Sequence, residues 1–543
     1  MLQRLTAGLS STSTTVKVLG GAGLIRPYTP LTLARMGRTL KQWGTGPAGG
    51  FAALALRAPT AVGLIDERGA LTFADLHRRS NALARALRAA GVGEGDAVAI
   101  MCRNHRGFVD ATIATSKLGA DALYLNTAFS GPQLVEVVGR DKPTALIYDE
   151  EFAGLVGDAE VGVKILGWTD DETAGGDVPR LESLIATHDT ADLEPPTRHG
   201  RTVILTSGTT GTPKGAPRRE AGVDAAVSLL SRMPLRYGWH THIAAPLFHT
   251  WGFAHLALAM LLGSTVVLRR RFDPEQFLEV VQHHRCESAV VIPVMLQRIM
   301  ALPPQVRDRY DLTSLQVVAS SGSAIPGDLA TRWMDQFGDN LYSTYGSTEV
   351  AYAAIATPED LRANPATAGH PPYATVVRIL DDRGREVPQG TPGRIFVGNG
   401  LLFEGYTGGG HKEVIDGLMS SGDVGRFGPD GRLYVEGRDD EMIVSGGENV
   451  FPKEVEDCLA RHDAVLEVAA IGVDDDDFGT RLRAFVVLSA GAECTEDELK
   501  DWVKANLARY KVPREIHFLP ELPRNATGKV LKRELVQRDR PEA

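Results

Sequence analysis

The run Thr206-Ser207-Gly208-Thr209-Thr210-Gly211-Thr212-Pro213-Lys214-Gly215 sets hydroxyls, glycines and a lysine side by side. These are the groups that wrap phosphate oxygens. Glycine lets backbone N–H groups approach an anion closely, Ser and Thr hydroxyls add donors, and Lys214 supplies a compact positive charge. A P-loop of the NTPase kind needs Gly before its lysine and Ser or Thr after it. Pro213 and Gly215 occupy those places, so this phosphate loop is of another kind.

Further blocks follow in order along the chain: Pro246-Leu247-Phe248-His249, Ser321-Gly322-Ser323-Ala324, Ser343-Thr344-Tyr345-Gly346-Ser347-Thr348-Glu349, Ser421-Gly422-Asp423, Gly437-Arg438, Ser445-Gly446-Gly447-Glu448-Asn449 and Asn525-Ala526-Thr527-Gly528-Lys529. Each alone is a weak signal; together with the phosphate loop they resemble the adenylate-forming superfamily over roughly residues 65–535. That superfamily holds acyl-CoA synthetases, luciferases and the adenylation domains of peptide synthetases.

The resemblance implies an ATP-dependent acyl-CoA synthetase. It would make an acyl adenylate with release of pyrophosphate, and then an acyl-CoA with release of AMP, using ATP, Mg2+ and coenzyme A. The fatty-acid-CoA ligases are the first expectation for the substrate. Thr206 to Thr210 with Lys214 would hold phosphate. Gly322, Ser323 and Ala324 would wall the adenine and acyl sites, and Ser343, Thr344, Tyr345 and Gly346 would form the nucleotide pocket, with the Tyr345 ring on the adenine and Gly346 leaving room for substrate. Thr348 would donate to a phosphate oxygen, Glu349 would ligate Mg2+ as hard oxygen donors do, Asp423 would accept both ribose hydroxyls, and Arg438 would hold ribose or phosphate from the other side.

His249, Trp251, Gly252 and Phe253 fall where the family lines the acyl site, together with Gly322 and Gly346. His249 reads as a pocket residue rather than a base, because a carboxylate nucleophile is already ionised at neutral pH. Amino-acid-activating relatives carry an Asp near this block, so His249 favours an acid without an amino group. By the same resemblance Lys529 would be the catalytic cation, bridging the carboxylate and the α-phosphate while charge builds there. Asp440 would be the hinge of the family's domain rotation, and Gly446 and Gly447 would line the pantetheine tunnel.

Without the resemblance, Tyr345, Trp251 and Phe253 would read as core, Asp423 as a turn residue and Lys529 as a surface lysine. Glu220 for a frequent His, Leu418 for a frequent Trp, and the short Gly-rich 407–411 depart from the common pattern. Alternatives stay open: an acyl-AMP ligase loading a carrier protein, an aromatic-acid-CoA ligase, and a non-catalytic fatty-acid binding or uptake protein.

The elements that must position these groups are legible in the periodicity. Leu76, Leu83 and Leu87 recur at helical spacing, Gly91 stops that helix, and Ala97–Met101 reads as a buried strand. Strands follow at 122–125, 145–148, 202–205, 264–268, 288–292 and 315–319, with a helix around Leu134 to Val138; this alternation predicts parallel sheets with helical crossovers. Beyond Glu349, short β-like runs such as Val376–Leu380 and 393–397 predict a β-rich subdomain. After Pro452, strands at 466–473 and 484–488 and a capping box at Thr495 and Glu498 predict an α+β module.

The expected fold is therefore α/β: a large N-terminal domain of two stacked α/β units plus a small β-rich subdomain, followed by a small mobile α+β C-terminal domain. The expected boundaries are a basic leader at 1–50, the large domain at 51–438 and the small domain at 439–543.

With 543 residues, 43% hydrophobic, the chain is long enough for several cores. A net charge of -10 argues against nucleic acid as a partner. The dispersed Cys102, Cys286, Cys458 and Cys494 suggest neither a zinc site nor a disulfide framework and fit a reducing cytoplasm. No apolar run is long enough to span a bilayer. The first acidic residue is Asp66, and Arg4, Lys17, Arg26, Arg35, Arg38, Lys41 and Arg57 precede it. Such a segment suits a transit-like role or peripheral contact with a membrane, while a leader packed on the main domain is the simpler expectation. Nothing in the pattern bears on oligomeric state.

Overall fold

The computed structural model describes residues 13–171, 176–206, 214–217, 223–325, 328–403, 405, 411–441, 443–445, 448–475, 479–525 and 528–537. They form two compact units, the first running to Val291 and adding Leu302–Ala319 and Gly400–His411. The second takes Ile292–Ala301, Ser320–Asn399 and the chain from Lys412 on.

The first unit is built on two sheets. One runs in the spatial order Val163–Trp168, Ala145–Asp149, Ala97–Met101, Asp121–Tyr124, Thr202–Thr206, Lys214–Pro217. All its pairings are parallel except the last, where the chain leaves the phosphate loop and returns antiparallel. Apolar runs such as Ala-Leu-Ile-Tyr-Asp are buried along their whole length, as strands covered on both faces must be. The other sheet places Ser288–Val291, His240–Ile243, Thr265–Val267, Val62–Asp66 and Gly69–Thr72 side by side. The helix Arg106–Lys117 touches strands of both sheets and is buried on nearly every side, which is the expected stacking of two α/β layers.

Burying that helix takes charge with it. Arg106 forks onto Asp66, with Nε 2.9 Å from Oδ2 and Nη2 2.5 Å from Oδ1. Arg79 bridges Asp110 and Glu182 at 2.8 and 2.7 Å. The Lys117 ammonium donates to Asn81 Oδ1 at 2.5 Å, Ser80 Oγ at 2.8 Å and His77 O at 3.1 Å. Burial nevertheless pulls its pKa from the ordinary 10.5 down to about 7.

Between those two pH values the unfolded chain keeps a proton that the folded chain has released, so Lys117 makes stability rise as pH rises through that window. Below about pH 7 both states hold the proton and its contribution is flat. Urea unfolding of wild type and Lys117→Met across pH 6–10, a range chosen to bracket the folded pKa at ~7, should show the difference between them changing in that sense. A constant difference would contradict it.

In the second unit, Leu341–Tyr345 and Ala354–Ala356 form an antiparallel pair. An antiparallel sheet follows in the order Val376–Leu380, Gly393–Gly398, Leu418–Phe427, Val414–Ile415, with Leu433–Arg438 also paired to Leu418–Phe427. A last sheet orders Glu448–Val450, Ile443–Ser445, Gly479–Leu488 and Val465–Asp475, with Glu515–Phe518 parallel to Gly479–Leu488. The helices Pro452–Leu459 and Glu496–Asn506 cover it through Val455, Leu459, Leu499 and Val503. Thr495 and Glu498 make the expected capping box.

The leader is helical over 13–21, Pro30–Trp43 and Pro47–Arg57. It packs on the first unit: Ala22 is buried, its carbonyl accepts from the Tyr237 N–H at 2.8 Å, and the Tyr237 ring lies 4.1 Å from the Arg26 guanidinium. No helix among the described residues is long and apolar enough to cross a membrane.

Candidate functional site

The segment Leu341–Tyr345 ends in Gly346, and no side chain would fit there. A Cβ would lie 2.2 Å from Ala351 O and 2.7 Å from Tyr352 Cα. Gly346 therefore accommodates the chain's own returning backbone, where the sequence suggested room for substrate. Asn399 holds that return by donating to Val350 O and Tyr352 O at 2.8 Å each. Sequence reasoning missed this residue, which sits outside every recognisable block. Thr348 and Glu349 lie half-buried in the turn, where the Ser347 hydroxyl accepts from the Glu349 N–H at 3.2 Å.

Tyr345 donates its hydroxyl to Asp423 Oδ2 at 2.5 Å and to Ser421 Oγ at 3.1 Å. Asp423 stands opposite Arg438 in the strand register, and Arg438 Nη1 donates to its Oδ1 at 3.5 Å. Burial raises the Asp423 pKa, against the opposing hydrogen bond from Tyr345 and the charges of Arg438 and Lys529. Burial, with Asp423 beside it, also raises that of Tyr345.

A Cβ on Gly422, whose φ is +79°, would sit 3.3 Å from the Arg438 guanidinium and 3.3 Å from Lys412 Nζ. Lys412 thus joins the same corner. Its only sequence signal is a position just after the Gly-rich stretch.

Gly322 to Ala324 form an exposed turn anchored by Ser321, whose hydroxyl donates to Thr344 O at 2.8 Å. Ser320 Oγ and Thr344 Oγ1 are buried and have no hydrogen-bond partner among the described residues. Such orphaned hydroxyls are rare and suit a ligand that supplies the missing partner. Lys529 is exposed, and its backbone is fixed by Asn525, which accepts from the Lys529 N–H at 2.9 Å and donates its own N–H to Lys529 O at 2.9 Å. Gly528 turns with φ +76°, and a Cβ there would press on Val294 Cγ1 at 2.6 Å. The second unit therefore brings together Tyr345, Asp423, Arg438 and Lys529.

In the first unit, Thr206 closes one strand and Lys214 opens the next, while Ser207, Gly208, Thr209 and Thr210 lie outside the described residues. His249 caps the helix Thr250–Leu262. Burial lowers its pKa to about 4, so the ring is neutral at pH 7, and Nε2 has no partner among the described residues. Trp251 Nε1 donates to Val291 O at 3.1 Å, its ring stands edge-on to His255 at 4.4 Å, and Phe253 meets Tyr124 at 5.2 Å. Gly252 is held to hydrogen by Pro246 O, 2.3 Å from where a Cβ would fall. Asp440 belongs to the turn Asp439–Glu441, and Gly446 and Gly447 lie outside the described residues.

The residues present fit a nucleotide, by the orphaned hydroxyls and by the acid–base corner at Asp423. Glu349 offers the oxygen donor that Mg2+ shares with substrate phosphates. Elsewhere among the described residues, Cys102, His105 and Asp149 come close enough to hold a metal, and all are buried. There His105 Nδ1 accepts from the Gly107 N–H at 3.0 Å, which leaves Nε2 protonated and donating to Asp149 Oδ1 at 2.9 Å. That ring has no lone pair for a metal.

The family model for the AMP-binding enzyme matches residues 51–407, and that for the AMP-binding enzyme C-terminal domain matches 454–529. A feruloyl-CoA synthase of an Amycolatopsis species is 35% identical over 478 residues, covering 86% of this chain and 94% of the relative. A 2-succinylbenzoate–CoA ligase of Geobacillus kaustophilus is 34% identical, covering 89% of this chain and 96% of the relative. Among solved structures, an anthranilate CoA ligase in complex with anthranoyl-AMP superposes with a TM-score of 0.80 at 25% identity, covering 90% of this chain and 96% of that one. The o-succinylbenzoate CoA synthetase of Bacillus subtilis, with its acyl-adenylate intermediate, gives 0.78 at 27% identity, covering 91% and 98%.

Proposed function

Because the chain belongs to the AMP-binding enzyme family and is an AMP-forming acid–thiol ligase that uses ATP, Mg2+ and coenzyme A, we propose that its acid is an aromatic carboxylic acid. The observation that carries this is the block of fixed rings at the start of the helix Thr250–Leu262. Trp251 is pinned to Val291 O and Phe253 is set against Tyr124. Rings held in place offer flat, rigid faces that a planar acid can stack on. Relatives named for feruloyl, succinylbenzoate and indoleacetate substrates support the same reading over the fatty acid that the motifs first suggested. His249, neutral and with Nε2 available, suits a hydrogen bond to such a substrate without a charge.

The chemistry then divides among named residues. The carboxylate attacks the α-phosphorus, the bond to the β-phosphate oxygen breaks, and pyrophosphate leaves. Tyr345, Asp423 and Arg438 hold the nucleoside, Thr344 donates to it, Thr348 donates to a phosphate oxygen, and Lys529 stabilises the charge on the α-phosphate. Glu349 would hold Mg2+, which neutralises the departing pyrophosphate. The thiol of coenzyme A next attacks the acyl carbon, its proton passes to solvent, and AMP leaves. A domain boundary at 438 and 439, inside the second unit and with Asp440 as hinge, would separate the two halves. Four unpaired cysteines support a reducing cytoplasm as the compartment.

AMP release is the test, measured with a panel of cinnamic, benzoic, arylacetic and fatty acids, with and without coenzyme A, and with mass spectrometry of the thioester. Aryl acids should exceed fatty acids in kcat/KM by at least about tenfold, since a mismatched pocket loses about 1–3 kcal/mol of discrimination. A fatty acid turned over better would overturn the aromatic reading, and an adenylate without a thioester would overturn coenzyme A as acceptor.

A further inference from the structure

The helix Pro30–Trp43 has no fully buried residue, and its sequence explains why it forms at all. Thr29 caps it by accepting from the Thr32 N–H at 3.2 Å, and Pro30 occupies the first turn, where a missing N–H costs nothing. Thr32, Met36, Leu40 and Trp43 are half-buried on one side, and the helix packs against Pro47–Arg57. Its other side carries Arg35, Arg38 and Lys41, all exposed, with Leu31 between them at 61% exposure, while Leu33 projects from the opposite flank of the helix. No carboxylate among the described residues pairs with any of these three cations, and the chain has no acidic residue before Asp66.

Two features separate this face from an ordinary solvated surface. A charged face kept for solubility carries mixed signs and few large apolar groups. Here the charge is of one sign in a protein of net charge -10, and Val16, Ile25, Leu31 and Leu33 place four of the twelve exposed large hydrophobics among the described residues within residues 16–33. This helix also lies outside the residues matched by either family model, 51–407 and 454–529.

We propose that the outer face of the helix Pro30–Trp43 docks the enzyme on an anionic lipid bilayer, with Arg35, Arg38 and Lys41 at the lipid phosphates and Leu31 in the headgroup boundary. Cations paired with an exposed leucine fit that boundary, where charge draws the helix to the surface and the apolar side chain leaves water. A purely polyanionic partner would make no use of Leu31. The anchoring of Ala22 and Arg26 on Tyr237 presents this helix from the folded body instead of as a loose tail.

Vesicle co-sedimentation of the full chain tests it, with phosphatidylcholine alone against equal parts phosphatidylcholine and phosphatidylglycerol. Binding is expected only to the anionic vesicles and should weaken as salt is raised. The triple variant Arg35→Glu, Arg38→Glu, Lys41→Glu should lose about 100-fold in partitioning while keeping the wild-type rate of acyl-CoA formation in solution. Leu31→Ser should weaken binding without abolishing its salt dependence. Equal binding to neutral vesicles, no binding to either, or a triple variant that binds as wild type would each overturn the proposal.

Discussion

Lys529→Ala should lower acyl-adenylate formation by on the order of 10²–10³-fold, the usual cost of removing one preorganised group that stabilises transition-state charge. The expectation rests on where the turn Asn525 to Lys529 is held. Asn525 grips Lys529 on both backbone groups, Gly528 packs on Val294, and the ammonium's charge reaches Asp423. Lysine's flexible stem supplies a mobile point charge rather than a fork, so Lys529→Arg is not a conservative rescue. Thioesterification of a chemically prepared acyl adenylate should stay near the wild-type rate, because the second half breaks no bond at the α-phosphorus. Asp440→Pro should give the reverse pattern. Proline fixes φ and removes an N–H at the turn Asp439–Glu441, sparing adenylation and stopping the thiol half. Pyrophosphate release and acyl-CoA formation, measured separately, decide both; equal loss in the two halves for Lys529→Ala would remove its assigned role.

Local patterns announced the elements whose burial is uniform. The parallel strands Ala97–Met101 and Ala145–Asp149 and the capped helix Glu496–Asn506 are legible because an apolar run or a cap records its own environment. His240–Ile243 is not, since His-Thr-His-Ile reads as a polar surface. Inside the sheet, His242 Nδ1 donates to Val267 O at 2.9 Å, and the hydroxyls of Thr241 and Ser288 meet at 2.7 Å. Those partners are distant in sequence, so no window of residues contains the reason. The same holds for Gly346 and Gly252, whose missing side chains serve backbone packing, and for Lys412 and Asn399, which join the site only through the fold. The helix Pro30–Trp43 is a different case: its Thr29 cap and Pro30 start were present in the sequence and are overshadowed by its charge.

Asp423→Asn should reduce kcat/KM for ATP by about 100-fold and, more tellingly, remove the enzyme's preference for ATP over its 2′- and 3′-deoxy analogues. A site built to hydrogen-bond a hydroxyl rejects the analogue lacking it far more strongly than a hydrophobic pocket rejects a missing methylene, because its own polar groups are left unpaired. On the proposed reading Asp423 is such a site. Its carboxylate already takes Tyr345 and Arg438, and its remaining lone pairs are what two ribose hydroxyls would use. The amide of Asn keeps one acceptor oxygen and turns the other position into a donor, so it cannot serve both hydroxyls, and the Arg438 guanidinium loses its counter-charge. Tyr345→Phe separates the two roles: it removes the 2.5 Å bond to Asp423 but leaves the carboxylate, so sugar discrimination should persist at reduced affinity. If Asp423→Asn discriminated among the sugars as wild type does, the ribose would have to be read elsewhere, and the Tyr345, Asp423 and Arg438 corner would be a packing device.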